Sequence, residues 1–132
     1  MLKEGILHPQ LAKLLAEVRH LDTLVIGDAG LPIPKGVERV DLGWRAGDPK
    51  YLDVLAELLK YLVIEKAIFA TEAKSVSPAF HQEALKLFDQ KLPIEYVEHR
   101  ELKKQSENAK GIILTGEFTP YTNVILVCGC AY

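Results

Sequence analysis

The sequence lacks the features that mark membrane, secreted or nucleic-acid-binding proteins. No apolar run approaches the roughly 20 residues that a membrane-spanning helix requires, and residues 1–5 do not resemble the start of a signal peptide. The 132 residues include 16 Lys and Arg against 18 Asp and Glu, a formal net charge of −2, so no excess of charge favours nucleic acid or an anionic membrane. We therefore expect a cytoplasmic protein that binds neither of them.

Cysteine is scarce as well. The chain has two, Cys128 and Cys130, at alternate positions near its end. A disulfide between residues i and i+2 of a strand would strain the backbone, and the pair lacks the further ligands of a zinc site. We interpret both as small buried side chains.

The common catalytic motifs are also missing. The chain contains no G-x-G-x-x-G, no G-x-x-x-x-G-K-[ST], no G-x-S-x-G and no H-E-x-x-H. Nucleotide cofactors, serine hydrolysis and zinc proteolysis thus lose their usual signals. Proton-transfer isomerisation needs none of these motifs, since a positioned acid and base suffice.

What the chain does have is an alternation of short apolar runs with helical patterns. The runs typical of strands are residues 24–27, 37–42, 67–73, 94–97, 111–115 and 121–127. Helical patterns cover residues 9–18, open at Asp48-Pro49 and at Ser77-Pro78, and cover residues 101–108. This alternation predicts one α/β domain over residues 1–132, a three-layer sandwich whose mainly parallel mixed sheet is flanked by helices. The short loop between the last two strands predicts that they pair antiparallel at one side.

Polar residues lie at the ends of these predicted strands. Asp28 follows the first strand, where the ligand crevice of an open α/β sheet lies. His20 precedes the same strand and returns to that crevice only if the preceding helix ends nearby. His99 follows the fourth strand, and Tyr121 and Asn123 share one face of the last strand if that strand is regular.

Each candidate also has a structural interpretation. An aspartate such as Asp28 often bonds nearby loop amides, a histidine after a helix is often a cap or a surface residue, and the charged neighbours of His99 are typical of a solvated face. Asn123 is disfavoured in an apolar strand and needs a reason to be there. Glu117, in the final turn, is a further polar candidate. Histidine titrates near a pKa of about 6.5, so the set suits proton transfer.

At these residues the sequence resembles the D-ribose pyranase family, the bacterial ribose mutarotases related to fucose mutarotase. The resemblance covers essentially the whole chain. It is carried by Gly-Ile-Leu at 5–7, by His20-x-Asp22, by Asp-Ala-Gly-Leu-Pro-Ile-Pro at 28–34 and by Thr-Gly-Glu-Phe-Thr-Pro-Tyr-Thr-Asn-Val-Ile-Leu at 115–126. Asp-Ala-Gly-Leu-Pro resembles the ribose branch, whereas the fucose branch more often has Asp-Ala-Asn-Phe-Pro.

The resemblance implies an isomerase that interconverts the pyranose and furanose forms of D-ribose, with His20 as the catalytic acid and no cofactor or metal. It implies that the sugar contacts Asp28, His99, Tyr121, Thr122 and Asn123. It also implies a homo-oligomer, a ring-shaped pentamer commonly stacked into a decamer, with each site near a subunit boundary. Asp28 would additionally orient His20, if the fold brings them together.

Two residues depart from the family pattern. Arg19 stands where a small residue, often Gly, is usual, and Leu21 replaces a usual Thr. Both flank His20 and bear on its loop geometry. Two other functions remain open: a non-catalytic sugar-binding or regulatory subunit of ribose uptake, and a structural ring-forming protein. The apolar residues 124–127, expected at a sheet edge, favour assembly.

Overall fold

Short helices and six strands alternate along the chain in the computed structural model, which describes residues 1–132. The strands are β1 (Thr23–Gly27), β2 (Glu38–Asp41), β3 (Ile64–Ala70), β4 (Ile94–Val97), β5 (Gly111–Leu114) and β6 (Val124–Cys128). The helices are α1 (Pro9–Glu17), α2 (Tyr51–Leu59), α3 (Ala73–Val76), α4 (Pro78–Leu85) and α5 (His99–Gln105), and a 3₁₀ turn, Ser106–Asn108, follows α5.

All six strands form one sheet in the order β2-β5-β1-β6-β3-β4. β6 runs antiparallel to both of its neighbours, β1 and β3, and every other neighbouring pair is parallel. The prediction of a mainly parallel mixed sheet is therefore confirmed. The predicted antiparallel pairing of the last two strands is wrong, because β1 lies between β5 and β6.

The composition of β6 explains its central place. Four of its five residues are buried, and a strand covered on both faces has a continuous apolar sequence rather than an alternating one. Residues 115–123 form a loop long enough to carry the chain past β1. The expectation of an apolar edge at residues 124–127 is consequently wrong. The true edge strands, β2 and β4, are four residues long and carry exposed charged side chains, which protects such edges.

The core is divided between the two faces of the sheet, as a three-layer sandwich requires. Along β1, Leu24 and Ile26 point into the larger apolar cluster with α1, α2 and α4, whereas Val25 points into the smaller cluster with α5. The same alternation continues across β6. Both cysteines are free, with Cys128 buried as predicted and Cys130 half-buried.

Several elements begin or end at residues other than the predicted ones. Pro9 and Pro78 begin α1 and α4 as predicted, whereas α2 begins at Tyr51, three residues after Asp48. The short helix α3 was not predicted. β6 starts at Val124 rather than at residue 121, because Tyr121 has a φ of 61°, a left-handed conformation that no strand contains.

Candidate functional site

The carboxyl ends of the five parallel strands and the amino end of β6 lie at the same end of the sheet. Asp28 follows β1, Thr115 follows β5, His99 comes shortly after β4, and Asn123 directly precedes β6. In open α/β sheets this is the edge where ligands bind. We call it the Asp28 end of the sheet.

Asp28 and Asn123 hold each other by two hydrogen bonds. The backbone N–H of Asp28 donates to Asn123 Oδ1, and Asn123 Nδ2 donates to Asp28 Oδ2, both at 3.0 Å. Asn123 is only 1% exposed, so this pairing is the reason for an amide in an apolar context. Gly27 makes it possible, because a Cβ there would lie 2.8 Å from Asn123 Oδ1.

The second oxygen of the Asp28 carboxylate is held from its own loop. Gly30 N–H donates to Asp28 Oδ1 at 3.0 Å. The side chain is half-buried, and each carboxylate oxygen has two lone pairs. Both oxygens therefore keep acceptor capacity for a hydroxyl-bearing ligand, in a geometry that is fixed before the ligand arrives.

Glu117 organises the loop that faces Asp28. Its Oε1 accepts hydrogen bonds from the N–H groups of Phe118 and Thr119, at 3.1 and 3.0 Å, and from Thr119 Oγ1 at 2.7 Å. Burial acts to raise the pKa of Glu117, but the hydrogen bonds to its charged form outweigh burial and leave the pKa below its ordinary value. The carbonyl of Glu117 accepts from Ala29 N–H at 2.9 Å, which ties the two loops together.

His99 and Tyr121 pack together at the Asp28 end of the sheet. Their rings meet edge to face with centroids 5.0 Å apart. The backbone N–H of His99 donates to the Glu72 carboxylate at 2.9 Å, and this hydrogen bond caps the start of α5. His99 Nδ1 is buried without a hydrogen-bond partner. Burial, and then the charge of Lys103, lowers the pKa of His99 against the opposing effect of Glu72 and Asp28. The imidazole is therefore neutral near pH 7.

Thr122 and Tyr51 line a small space next to Tyr121. Thr122 is 5% exposed, and its hydroxyl donates to the carbonyl of Thr119 at 2.9 Å. Tyr51 is a residue that the sequence analysis missed. Its hydroxyl is buried without a partner beside Tyr121 and Asn123, and burial, reinforced by the charge of Asp28, raises its pKa. In the sequence, Tyr51 stands only as an aromatic residue at the start of a helix, a position that is typical of a packing residue.

A cavity of about 320 Å³ opens at the Asp28 end between the 28–30 and 117–120 loops. Pockets for small ligands begin at roughly 300 Å³. A larger cavity, about 530 Å³, lies between residues 5–8, Trp44 and α2. Its lining is mainly apolar and contains none of the predicted site residues, so the smaller cavity is the better candidate.

His20 does not belong to this end of the sheet. It precedes β1, and the next residue, Leu21, donates its N–H to the carbonyl of Cys128 at the carboxyl end of β6. A strand rises about 3.3 Å per residue, so the five residues of β1 separate His20 from Asp28 by roughly 16 Å or more. The prediction that Asp28 orients His20 within one chain is therefore wrong.

The surroundings of His20 are exposed. Its side chain is 48% exposed, and its Nε2 lies 2.9 Å from Glu65 Oε1 on β3. Leu21 has a φ of 67° and is 64% exposed. The guanidinium of Arg19 turns back to the carbonyls of Ala16 and Val18, at 2.8 and 2.9 Å, and so satisfies the end of α1. The side chain of Arg19 thus caps the last carbonyls of α1.

No helix has the length and apolar character needed to cross a membrane. No three side chains of the metal-binding types His, Cys, Asp and Glu converge. An α/β sheet with acidic, amide and imidazole groups at its strand ends defines a protein class that binds small polar molecules.

Within that class, residues 1–131 match the RbsD / FucU transport protein family, and the chain belongs to this family. It is 46% identical over 132 residues to a D-ribose pyranase of Shouchella clausii, covering 100% of both chains. It is 43% identical over 129 residues to a D-ribose pyranase of Streptococcus uberis, covering 98% of each. The solved structure of Bacillus subtilis RbsD complexed with D-ribose superimposes with a TM-score of 0.94 at 43% identity, and each chain is covered completely.

Proposed function

We propose that this chain is a D-ribose pyranase, an isomerase that interconverts the pyranose and furanose forms of D-ribose by opening and closing the sugar ring. Full-length relatives that bear this name, at 43–46% identity, support the assignment. The observation that carries it is the fixed pair of Asp28 and Asn123 at the strand ends. That pair presents acceptors to sugar hydroxyls in the fold that holds D-ribose in Bacillus subtilis RbsD.

The sugar lies in the cavity at the Asp28 end. Asp28 accepts hydrogen bonds from sugar hydroxyls, and Asn123 keeps that carboxylate in place. We place His99 and Tyr121, whose rings pack edge to face, against the sugar because the family resemblance implies these contacts, although neither residue lines the cavity itself. Thr122 contributes through the backbone of the same loop, since its hydroxyl already serves Thr119.

His20 supplies the proton, and it comes from a second copy of the chain. Ring opening needs a proton on the ring oxygen and the loss of one from the anomeric hydroxyl. Within one chain His20 lies roughly 16 Å or more from Asp28, but its half-exposed ring is free to face a neighbour's cavity. A head-to-tail contact that brings the His20 end of one copy to the Asp28 end of the next gives a closed ring when the rotation between successive copies closes. This agrees with the pentamer, or stacked decamer, that the family resemblance implies.

The remaining parts of the proposal follow from the same arrangement. Residues 1–132 act as one domain, since both core clusters are built from segments spread along the chain. We place the protein in the cytoplasm, where sugar isomerases of this kind meet their substrate after uptake. Neither a cofactor nor a metal enters the proton transfers described.

The first test is saturation-transfer NMR on D-ribose with catalytic amounts of protein. The wild-type chain should transfer saturation between pyranose and furanose signals, and His20→Ala should lose about 10²-fold or more of that exchange because the acid is gone. His8→Asn is the matched control, since His8 is exposed and asparagine preserves its cap on α1. Absence of wild-type exchange, with broadening of one ribose form, would instead indicate a non-catalytic sugar-binding subunit.

A further inference from the structure

One carboxylate accompanies the ring of His20. Glu65 Oε1 lies 2.9 Å from His20 Nε2, and the two side chains are 45% and 48% exposed. A carboxylate only accepts hydrogen bonds, so Nε2 carries the hydrogen in this contact. The residues are 45 positions apart in sequence, so the fold and not the local chain brings them together.

The backbone around Glu65 is shaped to aim this carboxylate. The pairing of β3 with β6 is regular from Lys66 onwards, but its register shifts between Ile64 and Lys66, where Glu65 lies. Such irregularities re-aim a side chain and are common next to active sites.

Gly129, which lies against the side chain of Glu65, leaves room for it because it has no side chain of its own. Gly129 follows β6, and a Cβ there would lie 2.7 Å from Glu65 Cγ and 3.1 Å from Oε1. Any larger residue would push the carboxylate away from its present position. The glycine and the register shift therefore serve the same contact.

We propose that Glu65 is the positioning residue of His20, an inference that rests on the proposed function. The carboxylate fixes the ring orientation and holds the hydrogen on Nε2, so that Nδ1 is the nitrogen that faces the sugar. A carboxylate partner sets the tautomer and orientation of a histidine in the same way at other sites.

The proton balance is simple. Imidazolium Nδ1–H gives its proton to the ring oxygen as the bond from that oxygen to the anomeric carbon breaks. The anomeric hydroxyl releases its proton to water, and its electron pair forms the carbonyl of the open chain. His20 is left neutral with Nε2–H on Glu65 and regains a proton from water. Closure through a different sugar hydroxyl reverses these steps and gives the other ring size.

The test separates turnover from binding. Glu65→Ala should lower kcat by roughly 10- to 100-fold, the range seen when the outer partner of a metal-bound histidine is removed, while KM stays within twofold because the binding groups lie at the Asp28 end. Glu65→Gln should fall between Glu65→Ala and wild type, since its amide oxygen still accepts from Nε2–H. Gly129→Ala should also lower kcat by displacing the carboxylate without removing its charge.

Glu95→Gln is the matched control. Glu95 is 46% exposed on the adjacent strand β4 and pairs with Lys66 at 2.8 Å, so its loss should leave both kinetic constants unchanged. A wild-type kcat in Glu65→Ala, or a further loss when Glu65→Ala is added to His20→Ala, would overturn the proposal. In that double variant a positioning residue has nothing left to position.

A spectroscopic measurement decides the contact independently of turnover. Nitrogen-15 NMR of His20 at a pH where the ring is neutral should show hydrogen on Nε2 in the wild type and a mixture of tautomers in Glu65→Ala. An unchanged tautomer ratio would contradict the role of Glu65. If the wild-type protein does not exchange the pyranose and furanose forms of D-ribose, the proposed function is wrong. The tautomer ratio would still decide whether Glu65 fixes the ring of His20.

Discussion

Asp28 and His20 lie at the two ends of the same strand, and their surroundings differ in nearly every respect. Asp28 is half-buried, receives hydrogen bonds from Gly30 and from Asn123, and faces a cavity. His20 is half-exposed, has one side-chain partner, and lies in a turn together with the exposed Leu21. The polar groups of the Asp28 end hold one another within one chain, whereas the His20 side chain is open to solvent apart from its contact with Glu65.

This difference separates two requirements of a proton-transfer enzyme. Groups that recognise a ligand gain from being fixed beforehand, since ordering them on binding costs free energy. A proton donor must also come within hydrogen-bond reach of the ligand, and β1 holds His20 and Asp28 at its opposite ends. The proposed sharing of the site between copies would meet both requirements with one short chain.

The largest effect should come from mixing two inactive variants. Asp28→Ala loses the sugar-binding carboxylate and His20→Ala loses the acid, so each alone should be nearly without exchange activity. Refolded together in equal amounts, random rings should regain about a quarter of wild-type activity, because a site is complete when one copy keeps His20 and its neighbour keeps Asp28. Each variant refolded alone is the control. No recovery in the mixture would show that the two residues do not serve one shared site.

A smaller effect, on binding and stability together, is expected for Asn123→Ala. The change leaves the N–H of Asp28 without its partner and frees the carboxylate. We expect KM for D-ribose to rise at least tenfold and the free energy of unfolding to fall by about 1–3 kcal/mol, the cost of an unsatisfied buried donor. Kinetics and urea unfolding measure the two quantities.

The control for this variant is Asn108→Ala, because Asn108 is an exposed asparagine in the 3₁₀ turn after α5. It should leave KM and the urea midpoint unchanged. If Asn123→Ala keeps the wild-type KM, Asp28 does not depend on it for its geometry. That result would contradict the contrast between a fixed Asp28 end and an exposed His20 end of β1.

The smallest expected effect is a change in how folding stability depends on pH, and it concerns His81, which lies near the Asp28 end. His81, 4% exposed, bonds Tyr96 at 2.8 Å and lines the space behind Tyr121 and Asn123. Burial, and then the charge of Lys74, lowers the pKa of His81. Between the lowered pKa and the unfolded value of about 6.5, the unfolded chain binds more protons. Stability should therefore fall as the pH drops below 6.5 and level off below the folded pKa.

His81→Gln keeps a hydrogen-bonding side chain toward Tyr96 but does not titrate. Urea midpoints measured from pH 7.5 to 5 should show a shallower decline in this variant than in the wild type. A residual decline is expected from His99, whose pKa is also lowered by burial. Equal slopes in both proteins would contradict the role of His81.

Much of the fold could be predicted because apolar periodicity is a local property. β4 was predicted with its observed bounds, and Pro9 and Pro78 marked the starts of their helices. Strand order is not local. The loop length suggested that β5 and β6 pair, but burial of β6 on both faces decided otherwise. The unbroken apolar run at residues 124–128 was the available signal for a central strand.

The site divides in the same way. The position of Asp28 at the end of β1 was predicted, and the need of Asn123 for a polar partner was recognised without the partner being known. The sequence alone left open whether His20 reaches the Asp28 end, and the length of β1 separates the two residues within one chain. Glu65 could not be found, because its role depends on a contact between β3 and the turn before β1.

The central position of β6 also bears on how the chain is made. β6 follows both of its partners in the chain, so the facing sides of β1 and β3 stay unpaired until β6 has been synthesised. The bonds between Asp28 and Asn123 span 95 positions, and contacts of such long range form slowly and expose nascent chains to aggregation. The Asp28–Asn123 pair thus forms late, and a chain truncated before residue 123 can neither complete its sheet nor make that pair.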